Sequence, residues 1–438
     1  MRWRLDATWS RAGDGRVVWG GSPLRLFRLS AAGARVADLI ESGESASSVL
    51  TQRLVDAGAL HPVPVAPAVV GTRDVTIVTP QLGGSPVRDG RITVDDASAP
   101  PLVDVAVRLE VNRGPSGARN AGRGRVETEL IAFVDADVDV GTATERPLDD
   151  ADWWAPLLAH FDDPSVGLVA PRVTGDDGSS LDLGPEPGRV RAGTRISYVP
   201  GAMMIVRASA FDVVGGFDET LRSGEDVDLA WRLDEAGWMC RYEPRRAVHH
   251  RPRPNVVGRI RQQINYGASS GPLALRHPRS LAPYRSNGWT AGVWALVAAG
   301  HPAFAGVLAL GSASAAVTKL TDLPAADAMS VAMRGHARAG GQLATAVRRA
   351  WWPLVVLASL ASRRARRLLI LSVLADPRRL HIDLAFGWGL WASMLRHREF
   401  RPIVPDLRPG RSFRALDTPV GHRALSRGRR KDQPRGPT

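Results

Sequence analysis

An apolar run that ends in closely spaced carboxylates places the strongest constraint on how this chain can fold. Residues 131–140 have the sequence IAFVDADVDV, in which four apolar residues are followed directly by Asp135, Ala136 and Asp137. A continuous apolar run of this kind is typical of a strand that is covered on both faces of a sheet. The fold must therefore bury this strand and still leave acidic side chains at its carboxyl end.

Similar apolar runs recur between Asp74 and about Pro254, separated by polar loops and by segments of helical periodicity. These runs are VTIVTP at 75–80, GRITVDD at 90–96, VAVRLE at 105–110, LIAFVDA at 130–136 and VGLVAPRV at 166–173. Strands that alternate with loops and helices indicate an α/β domain. We therefore predict the α/β fold class for residues 72–255.

Regions of different composition flank the α/β domain. Residues 1–64 contain a predicted hairpin and two short helices, which indicates a small winged-helix-like domain, and the prolines of residues 61–71 indicate a linker. From residue 256 to residue 400, Ala, Leu, Trp and Arg recur at helical spacing, which predicts a helical region. Residues 401–438 are basic and polar, so we expect a disordered tail.

The charge and cysteine content limit the classes of partner and compartment. The 438 residues carry a formal net charge of +13, which is compatible with phosphate-bearing ligands, anionic lipid and nucleic acid. The single cysteine, Cys240, excludes an internal disulfide framework, and the first residues lack the apolar core of a signal peptide. We therefore expect the catalytic part to lie in the cytoplasm.

The carboxylates that follow the apolar run suit a metal ion and a diphosphate. Asp135 and Asp137 are separated by one residue, so at the end of a strand both side chains can turn toward one point outside the sheet. They repel each other unless a divalent cation lies between them, and Mg²⁺ or Mn²⁺ prefers a few carboxylates together with phosphate oxygens. An isolated pair of this spacing is more often a solvated turn, so the interpretation depends on neighbouring motifs.

Two upstream motifs could bind the rest of a nucleotide. The run GRITVDD ends in Asp95 and Asp96, and a carboxylate there can accept hydrogen bonds from a nucleobase imide or a ribose hydroxyl. The segment NRGPSGARNAG at 112–122 opens a helix whose free N–H groups suit an anion, and Arg119 in its first turn could reach a phosphate. Taken alone, this loop is an ordinary turn and helix cap.

Two downstream motifs could supply a base and a further metal ligand. Glu225 and Asp226 precede an amphipathic helix, where a carboxylate could take a proton from an incoming hydroxyl. The alternative for this pair is a helix cap with a first-turn acid. His249 and His250 follow an apolar strand, and a neutral imidazole could complete a metal shell, although a histidine pair beside arginines is more often a surface feature.

Taken in order, these motifs resemble those of a known enzyme family. VTIVTP, VDDAS, NRGPSGARNAG, FVDADV, GGFDE and GEDVDLAWRL are similar to the motifs of the family 2 glycosyltransferases, over roughly residues 74–254. The resemblance implies the GT-A fold, a Rossmann-like fold of nucleotide-diphospho-sugar transferases. It also implies a divalent metal, Mn²⁺ or Mg²⁺, and inversion at the anomeric centre of the transferred sugar.

The resemblance also implies roles for individual residues. Asp96 would contact the nucleobase, and Asp226, with Glu225 beside it, would act as general base. The metal ligands would be Asp135, Asp137 and, less securely matched, His249. The positions assigned to the sugar nucleotide are Thr79, Asp95, Asp96, Asn112, Gly114, Arg119, Asn120 and Asp135.

The layout of the whole chain is similar to that of the mycofactocin-system glycosyltransferases of actinobacteria. In that group a small domain like the peptide-binding chaperones of ribosomal-peptide pathways precedes the transferase, and the corresponding segments here include GGSPLRLFRLSAAGA, DAGALHPVP and ISYVPGAMMIVR. This likeness implies transfer of glucose, from UDP-glucose, to a small peptide-derived acceptor, mycofactocin or its precursor. A cell-wall or lipid acceptor is the alternative.

The chain departs from the family in the connection between the first two predicted strands. Only QLGGSPVRDG, residues 81–90, separates them, whereas the family places a helix there and a parallel crossover ordinarily needs a dozen or more residues. Either the crossover is a bare loop or the strands are joined in another way. Part of the sugar-donor pocket is built at this position, so the departure bears on activity.

Arginine clusters beside apolar helices in the C-terminal region suggest a membrane surface. The stretch AWWPLVVLASLAS is shorter than the roughly 20 residues of a spanning helix. Arg348 and Arg349 precede it, and four further arginines follow it, namely Arg363, Arg364, Arg366 and Arg367. This pattern is typical of helices that lie in the interface of an anionic membrane, at the inner face of the cell. A helical domain packed on the transferase is the alternative.

Other classes of function fit the sequence less well. A winged-helix DNA-binding regulator would need basic residues on its recognition helix, where only Arg53 is present, so we expect no nucleic-acid partner. The P-loop and dinucleotide fingerprints of kinases and dehydrogenases are absent from the sequence. A metal-dependent phosphatase or nucleotidyltransferase stays open.

Overall fold

A nine-stranded sheet lies at the centre of the computed structural model. The structure describes residues 2–12, 15–64, 68–84, 89–141, 146–175, 181–251, 256–321 and 323–407. The elements of the sheet and its covering helices are β6 (Val75–Gln81), β7 (Ile92–Asp95), β8 (Val107–Arg108), α3 (Gly114–Arg123), β9 (Leu130–Val134), β10 (Val138–Asp139), α4 (Ala151–Leu158), β11 (Val166–Thr174), β12 (Gly188–Arg189), β13 (Met203–Arg207), α5 (Ala208–Val213), α6 (Glu225–Glu235) and β14 (Met239–His250). The predicted α/β class is confirmed.

The N-terminal part contains the predicted hairpin and two helices. Its elements are β1 (Arg2–Leu5), β2 (Ser10–Ala12), β3 (Val17–Gly20), β4 (Arg25–Arg28), α1 (Ala31–Glu41), α2 (Val49–Asp56) and β5 (Leu60–Val63). Strands β3 and β4 form the hairpin, and β1 pairs with β5, so the first residues of the predicted linker belong to a strand. The winged-helix interpretation stays a prediction.

In the described part of the chain, eight α-helices follow the sheet. They are α7 (Val256–Ala268), α8 (Ser270–Arg276), α9 (Gly288–Ala298), α10 (Pro302–Lys319), α11 (Ala325–Ala346), α12 (Trp352–Ala361), α13 (Arg363–Ala375) and α14 (Leu380–His397). Among the described residues, none of the helices is long and apolar enough to cross a bilayer. Residues 401–407 are ordered, since Trp351 Nε1 donates to the Ile403 carbonyl at 2.7 Å, and the rest of the predicted tail lies outside the described residues.

The strand order brings the carboxyl ends of the predicted motif strands to one edge. The main path of the sheet runs β10-β14-β11-β13-β9-β6-β7-β8, and β6 is parallel to both β7 and β9. Because β6 and β7 are parallel neighbours, the first crossover joins them in the usual sense. In its described residues, 82–84 and 89–91, it contains no helix. Of the two alternatives, the structure therefore shows the parallel crossover, without a helix in those residues.

The two faces of the sheet bury different cores. One face packs Ala132, Val169 and Ile205 against α4 and against N-terminal residues such as Leu54. The other face packs Phe133, Leu168, Met204 and Tyr242 against α3, α5 and α6. The N-terminal part therefore shares a hydrophobic core with the sheet, and it does not form a separate unit joined only by a linker.

Two helices of the C-terminal region approach each other through glycine. A Cβ at Gly389 of α14 would lie 1.9 Å from the Ile264 carbonyl oxygen of α7, and a Cβ at Gly267 would lie 1.9 Å from the Phe386 carbonyl oxygen. These are contacts with backbone atoms, which cannot rotate away. The close packing of α7 on α14 therefore requires residues without a side chain at both positions.

We predict that Gly389→Ala destabilises the protein and that Gly341→Ala does not. Overpacking at Gly389 typically costs about 1–3 kcal/mol in the free energy of unfolding. Gly341 also lies inside a helix, but a Cβ there meets nothing within 4 Å, so alanine should be neutral or stabilise by up to about 1 kcal/mol. Urea denaturation of both variants measures the difference. Equal effects would show that the contact between α7 and α14 is not tight.

Candidate active site

A buried guanidinium joins three of the predicted motifs. Arg119 of α3 is 2% exposed, and its Nη2 donates to Asp135 Oδ1 at 2.6 Å while its Nη1 donates to Glu225 Oε1 at 2.9 Å. Nη2 also donates to the Gly201 carbonyl at 3.2 Å. The sequence suggested that Arg119 binds a phosphate, whereas in the structure it binds carboxylates. Removing one partner from a buried ion pair typically costs about 3–5 kcal/mol, so Arg119 holds the site together.

Asp226 lies at the start of α6 with its carboxylate directed by backbone groups. Gly201 N donates to Asp226 Oδ2 at 2.7 Å, and Val227 N donates to Asp226 Oδ1 at 2.8 Å. Burial and the adjacent charge of Glu225 raise the pKa of Asp226 to about 7, although these hydrogen bonds oppose the shift. A carboxylate with a pKa near neutrality is suited to accept a proton from an alcohol.

Asp135 and Asp137 follow β9, at the edge that the sequence predicted for a metal. Their side chains are 30% and 59% exposed. Burial, together with the charges of Asp137 and Glu225, raises the pKa of Asp135 even though Arg119 opposes the shift. Additional positive charge is therefore favourable at this position.

The histidine beside these carboxylates is His250. Its Nε2 lies 3.5 Å from Asp137 Oδ2, and Asp137 belongs to the turn that precedes β10. His249, which the sequence favoured, pairs with Asp139 in the strand register, and neighbouring side chains of a strand point to opposite faces. Within the described residues, no group of three or more His, Cys, Asp and Glu side chains could hold a metal. Mg²⁺ commonly uses one or two carboxylates plus substrate phosphates, so Asp135 and Asp137 fit such an ion.

The predicted nucleobase residues differ in their surroundings. Asp95 is fully buried, and its carboxylate accepts from the N–H groups of Ser98 at 2.9 Å and Leu102 at 3.1 Å and pairs with Arg108. Asp95 therefore holds the loop after β7. Asp96 Oδ1 accepts from Arg113 N at 2.7 Å, which connects this loop to the start of α3.

The remaining predicted positions are mostly engaged within the protein. Buried Thr79 Oγ1 accepts from Arg91 at 3.3 Å, and Asn112 Nδ2 donates to the Asp96 carbonyl at 3.3 Å. Gly114 has a φ of +76° where α3 begins, a conformation that favours glycine. Asn120 Nδ2 donates to the Phe217 carbonyl at 2.9 Å, and Asn120 Oδ1 accepts from Phe217 N at 3.0 Å. Asn120 thus attaches the segment GGFDE to α3.

The sequence did not identify Gly201 as a site residue. Its carbonyl accepts from Arg119 and its N–H donates to Asp226, and a Cβ there would lie 3.3 Å from atoms of both side chains. Glycine permits this close backbone approach. The available signal was the pair Pro200-Gly201 directly before an apolar run, which is typical of a tight connection.

Comparison with known proteins identifies the class of this protein: the chain belongs to the family 2 glycosyltransferases. The protein family described as Glycosyl transferase family group 2 matches residues 187–384 of this chain. The chain is 35% identical to the Pre-mycofactocin glycosyltransferase of Mycobacterium tuberculosis strain H37Rv, over 90% of this chain and 95% of that protein. This protein is therefore a glycosyltransferase close to the mycofactocin one.

More distant matches are also glycosyltransferases. A segment of 56 residues is 47% identical to the N-acetylglucosaminyl-diphospho-decaprenol L-rhamnosyltransferase of Mycobacterium tuberculosis, covering 13% of this chain and 18% of that protein. The mannosyltransferase PcManGT from Pyrobaculum calidifontis, solved with GDP-Man and Mn²⁺, is 16% identical and covers 80% of this chain and 92% of that chain. Its TM-score is 0.40, which is too low to support a conclusion about this fold.

We predict that Asp226→Asn abolishes transfer and leaves binding of the sugar donor unchanged. Loss of a general base typically lowers kcat by about 10²–10⁴-fold. The kcat/KM of the wild type should rise about tenfold per pH unit below pH 7 and level off above it, because Asp226 must be ionised to act. Steady-state kinetics across pH 5.5–8.5 (roughly the span set by that pKa) measure this profile.

Between about pH 4 and pH 7 the wild type should lose stability that the same variant keeps. The folded pKa of Asp226 lies above the unfolded value of 3.8, so the stability that its protonated form contributes is lost as the pH rises through about 7. Asparagine does not ionise, so the variant does not lose this stability as the pH rises. Asp212→Asn, at a half-exposed carboxylate paired with Arg123, is the control for activity. If Asp226 were only a helix cap, the variant would be less stable and still active.

Proposed function

We propose that this glycosyltransferase transfers a hexose, glucose from UDP-glucose, with inversion to a hydroxyl of a small peptide-derived acceptor, pre-mycofactocin. The proposal rests above all on Asp226, a carboxylate of raised pKa directed by two backbone N–H groups and joined through Glu225 and Arg119 to Asp135. The acceptor is supported by the name of the relative that is 35% identical over nearly the full length.

The residues of the site divide the reaction between them. Asp226 accepts the proton of the acceptor hydroxyl while that oxygen attacks the anomeric carbon and the bond to the diphosphate breaks. Attack opposite the leaving group inverts the anomeric centre. Gly201 and Val227 keep the carboxylate oriented, and Arg119 keeps Asp135 and Glu225 at a constant separation.

A divalent cation is part of the proposal. Asp135 and Asp137 would hold Mg²⁺ or Mn²⁺, with His250 beside Asp137. When bound, the cation neutralises charge that develops on the departing nucleoside diphosphate. The exposure of Asp137 leaves its carboxylate accessible for this role.

Incubation with a panel of sugar nucleotides, Mg²⁺ or Mn²⁺, and pre-mycofactocin tests the proposal. We expect UDP release and a mass increase of the acceptor by one hexose with UDP-glucose, and a loss of both with chelator or with Asp137→Asn. Asp212→Asn should retain full turnover. Mass spectrometry and the anomeric NMR coupling of the product report transfer and inversion. If the folded enzyme with metal consumes no sugar nucleotide, the proposed function is wrong.

An exposed apolar hairpin supports a membrane surface as a further partner. Helix α12 has no buried residue, and large apolar side chains of α12 and α13 are exposed. These are Leu354, Val356, Leu357, Leu360, Ile370, Leu371 and Leu374. The exposed residues Arg363, Arg364, Arg366 and Arg367 begin α13, and exposed arginines beside an apolar surface suit the anionic cytoplasmic leaflet. We propose that this hairpin attaches the enzyme peripherally to the inner face of the cell membrane.

Not all of the arginines named from the sequence can contact lipid. Arg348 is 4% exposed and donates to Asp383 at 2.7 Å, and Arg349 donates to the other oxygen of Asp383 at 2.6 Å. These two arginines hold α14 against the π-helical turn Val347–Trp351. The basic cluster available to a membrane is therefore the one that begins α13.

We predict that the enzyme floats with anionic vesicles and that Leu357→Ser combined with Leu360→Ser prevents this. The two side chains are 67% and 78% exposed, so serine removes apolar contact without opening a cavity. Val213→Ser, at another exposed apolar residue on α5, should float like the wild type. Flotation should also weaken with salt, because surface charge attraction is screened. A wild-type enzyme that stays at the bottom of the gradient would contradict attachment.

A further inference from the structure

A cavity of about 420 Å³ lies between the N-terminal part and the central sheet. Its walls come from β1 and β5, from α2 and the residues before it, from the segment before β11 and from the start of β14. Its volume falls within the range of small-molecule sites. Trp3, Val55 and Pro62 supply apolar wall, and Ser47, Ser48 and Thr51 supply hydroxyl groups.

This cavity is separate from the candidate active site because it opens on the other face of the sheet. Arg241 lines it from β14. On the same strand, Met239 belongs to the core shared with α4 and the N-terminal part, and Cys240 and Tyr242 belong to the core beneath α6. Since side chains alternate along a strand, Arg241 shares the face of Met239, whereas Asp226 begins α6 on the opposite face.

Arg241 is a buried cation that forms no salt bridge among the described residues, although the charges of Asp163 and Asp56 attract it. It is 7% exposed, and its Nε is buried with no hydrogen-bond partner in the described part of the chain. Burial lowers its pKa to about 10. Other arginines nearby are paired: Arg189 and Arg191 with Asp234, and Arg245 with Glu243. A buried charge is costly unless it is paired.

The acidic residue of the cavity does not satisfy Arg241. Asp163 lines the same space, but its Oδ1 accepts from Ser165 N at 2.9 Å and from Ser165 Oγ at 2.7 Å. Ser48 and Thr51, which also line the cavity, form the capping box of α2, and Gln52 and Val55 continue this wall along one side of the helix. The cavity therefore combines a guanidinium without a salt bridge and hydroxyl groups with an apolar wall.

We propose that this cavity binds a small ligand that carries an oxyanion, a carboxylate or a phosphate, on an apolar body, with Arg241 as its counter-charge. A charged hydrogen bond from the guanidinium to the oxyanion compensates the buried cation. The apolar body packs against Trp3 and Val55. This binding site lies outside the transfer reaction and does not depend on the identity of the sugar or the acceptor.

Thermal denaturation of the full-length enzyme in the presence of defined anions tests this site. The probes are benzoate and phenyl phosphate, with inorganic phosphate and chloride at equal ionic strength. We expect a saturable rise of the wild-type Tm with benzoate or phenyl phosphate, and the stronger of the two identifies carboxylate or phosphate as the preferred group. Phosphate alone should have a smaller effect, because it lacks the apolar body.

The variant Arg241→Met separates ligand binding from a structural role. In chloride it should melt at or above the wild-type temperature, because it removes an unpaired buried charge, and its affinity for the aromatic anions should fall about tenfold or more. Arg53→Met, at an exposed position of α2, is the control. Its Tm should respond to the anions as the wild-type Tm does. Gln52→Glu, at the exposed rim of the cavity, should weaken anion binding by repulsion without altering the buried wall.

Either of two binding results would overturn the site, and so would one stability result. One is a wild-type Tm that does not respond to either aromatic anion. The other is a response that Arg241→Met and Gln52→Glu leave unchanged. A drop in Tm of Arg241→Met that is equal in every anion would also assign Arg241 a structural role instead.

Discussion

The ion pairs of Arg119 are the interaction on which the candidate active site depends. A guanidinium that is 2% exposed binds carboxylates from the end of β9 and the start of α6, two segments far apart in the sequence. Charge repulsion would otherwise separate Asp135, Glu225 and Asp226, since all three are acids in a poorly solvated position. The planar fork of arginine can satisfy two carboxylates at once, which the single ammonium of lysine does less well.

The hydrogen bonds of Arg119 go to two of the three acids of the site and not to Asp226. Glu225 and Asp135 are neutralised in part by Arg119, whereas Asp226 is held by backbone N–H groups and shows the pKa raised to about 7. Two adjacent carboxylates in one sequence motif thus have different partners, Arg119 for Glu225 and backbone N–H groups for Asp226. The fold supplies the difference through Gly201, whose backbone approaches both Arg119 and Asp226.

The sheet separates two chemistries on its two faces. The face beneath α3 and α6 leads to the acids of the transfer reaction, and the face beneath the N-terminal part carries Arg241 and its cavity. The N-terminal part also packs on the helices α10 and α11, since Trp19 and Leu323 share one cluster. The N-terminal part therefore makes hydrophobic contacts with both the central sheet and the C-terminal helical region.

Local patterns in the sequence predicted the class of fold and strands such as β6, β7, β9 and β11, but not β13, which lies between β9 and β11. Apolar runs ending in Asp95, Asp96, Asp135 and Asp137 identify strand ends, because burial on both faces selects apolar residues and strand termini tolerate charge. What the sequence did not determine is where each charged side chain points. The sequence suggested a phosphate as the partner of Arg119, but the structure pairs it with two carboxylates. It suggested lipid for Arg348, but the structure pairs that side chain with Asp383.

The tertiary structure alone decided these partners. His250 Nε2 lies 3.5 Å from Asp137 Oδ2, where β14 passes the turn that follows β9, and the sequence had favoured His249. Arg241 carries no local signal of its surroundings, and the pair Pro200-Gly201 indicates a tight connection but not which side chains Gly201 contacts. Hydrophobic periodicity is a local property of the chain, whereas charge pairing depends on distances in three dimensions, and only the folded chain sets those distances.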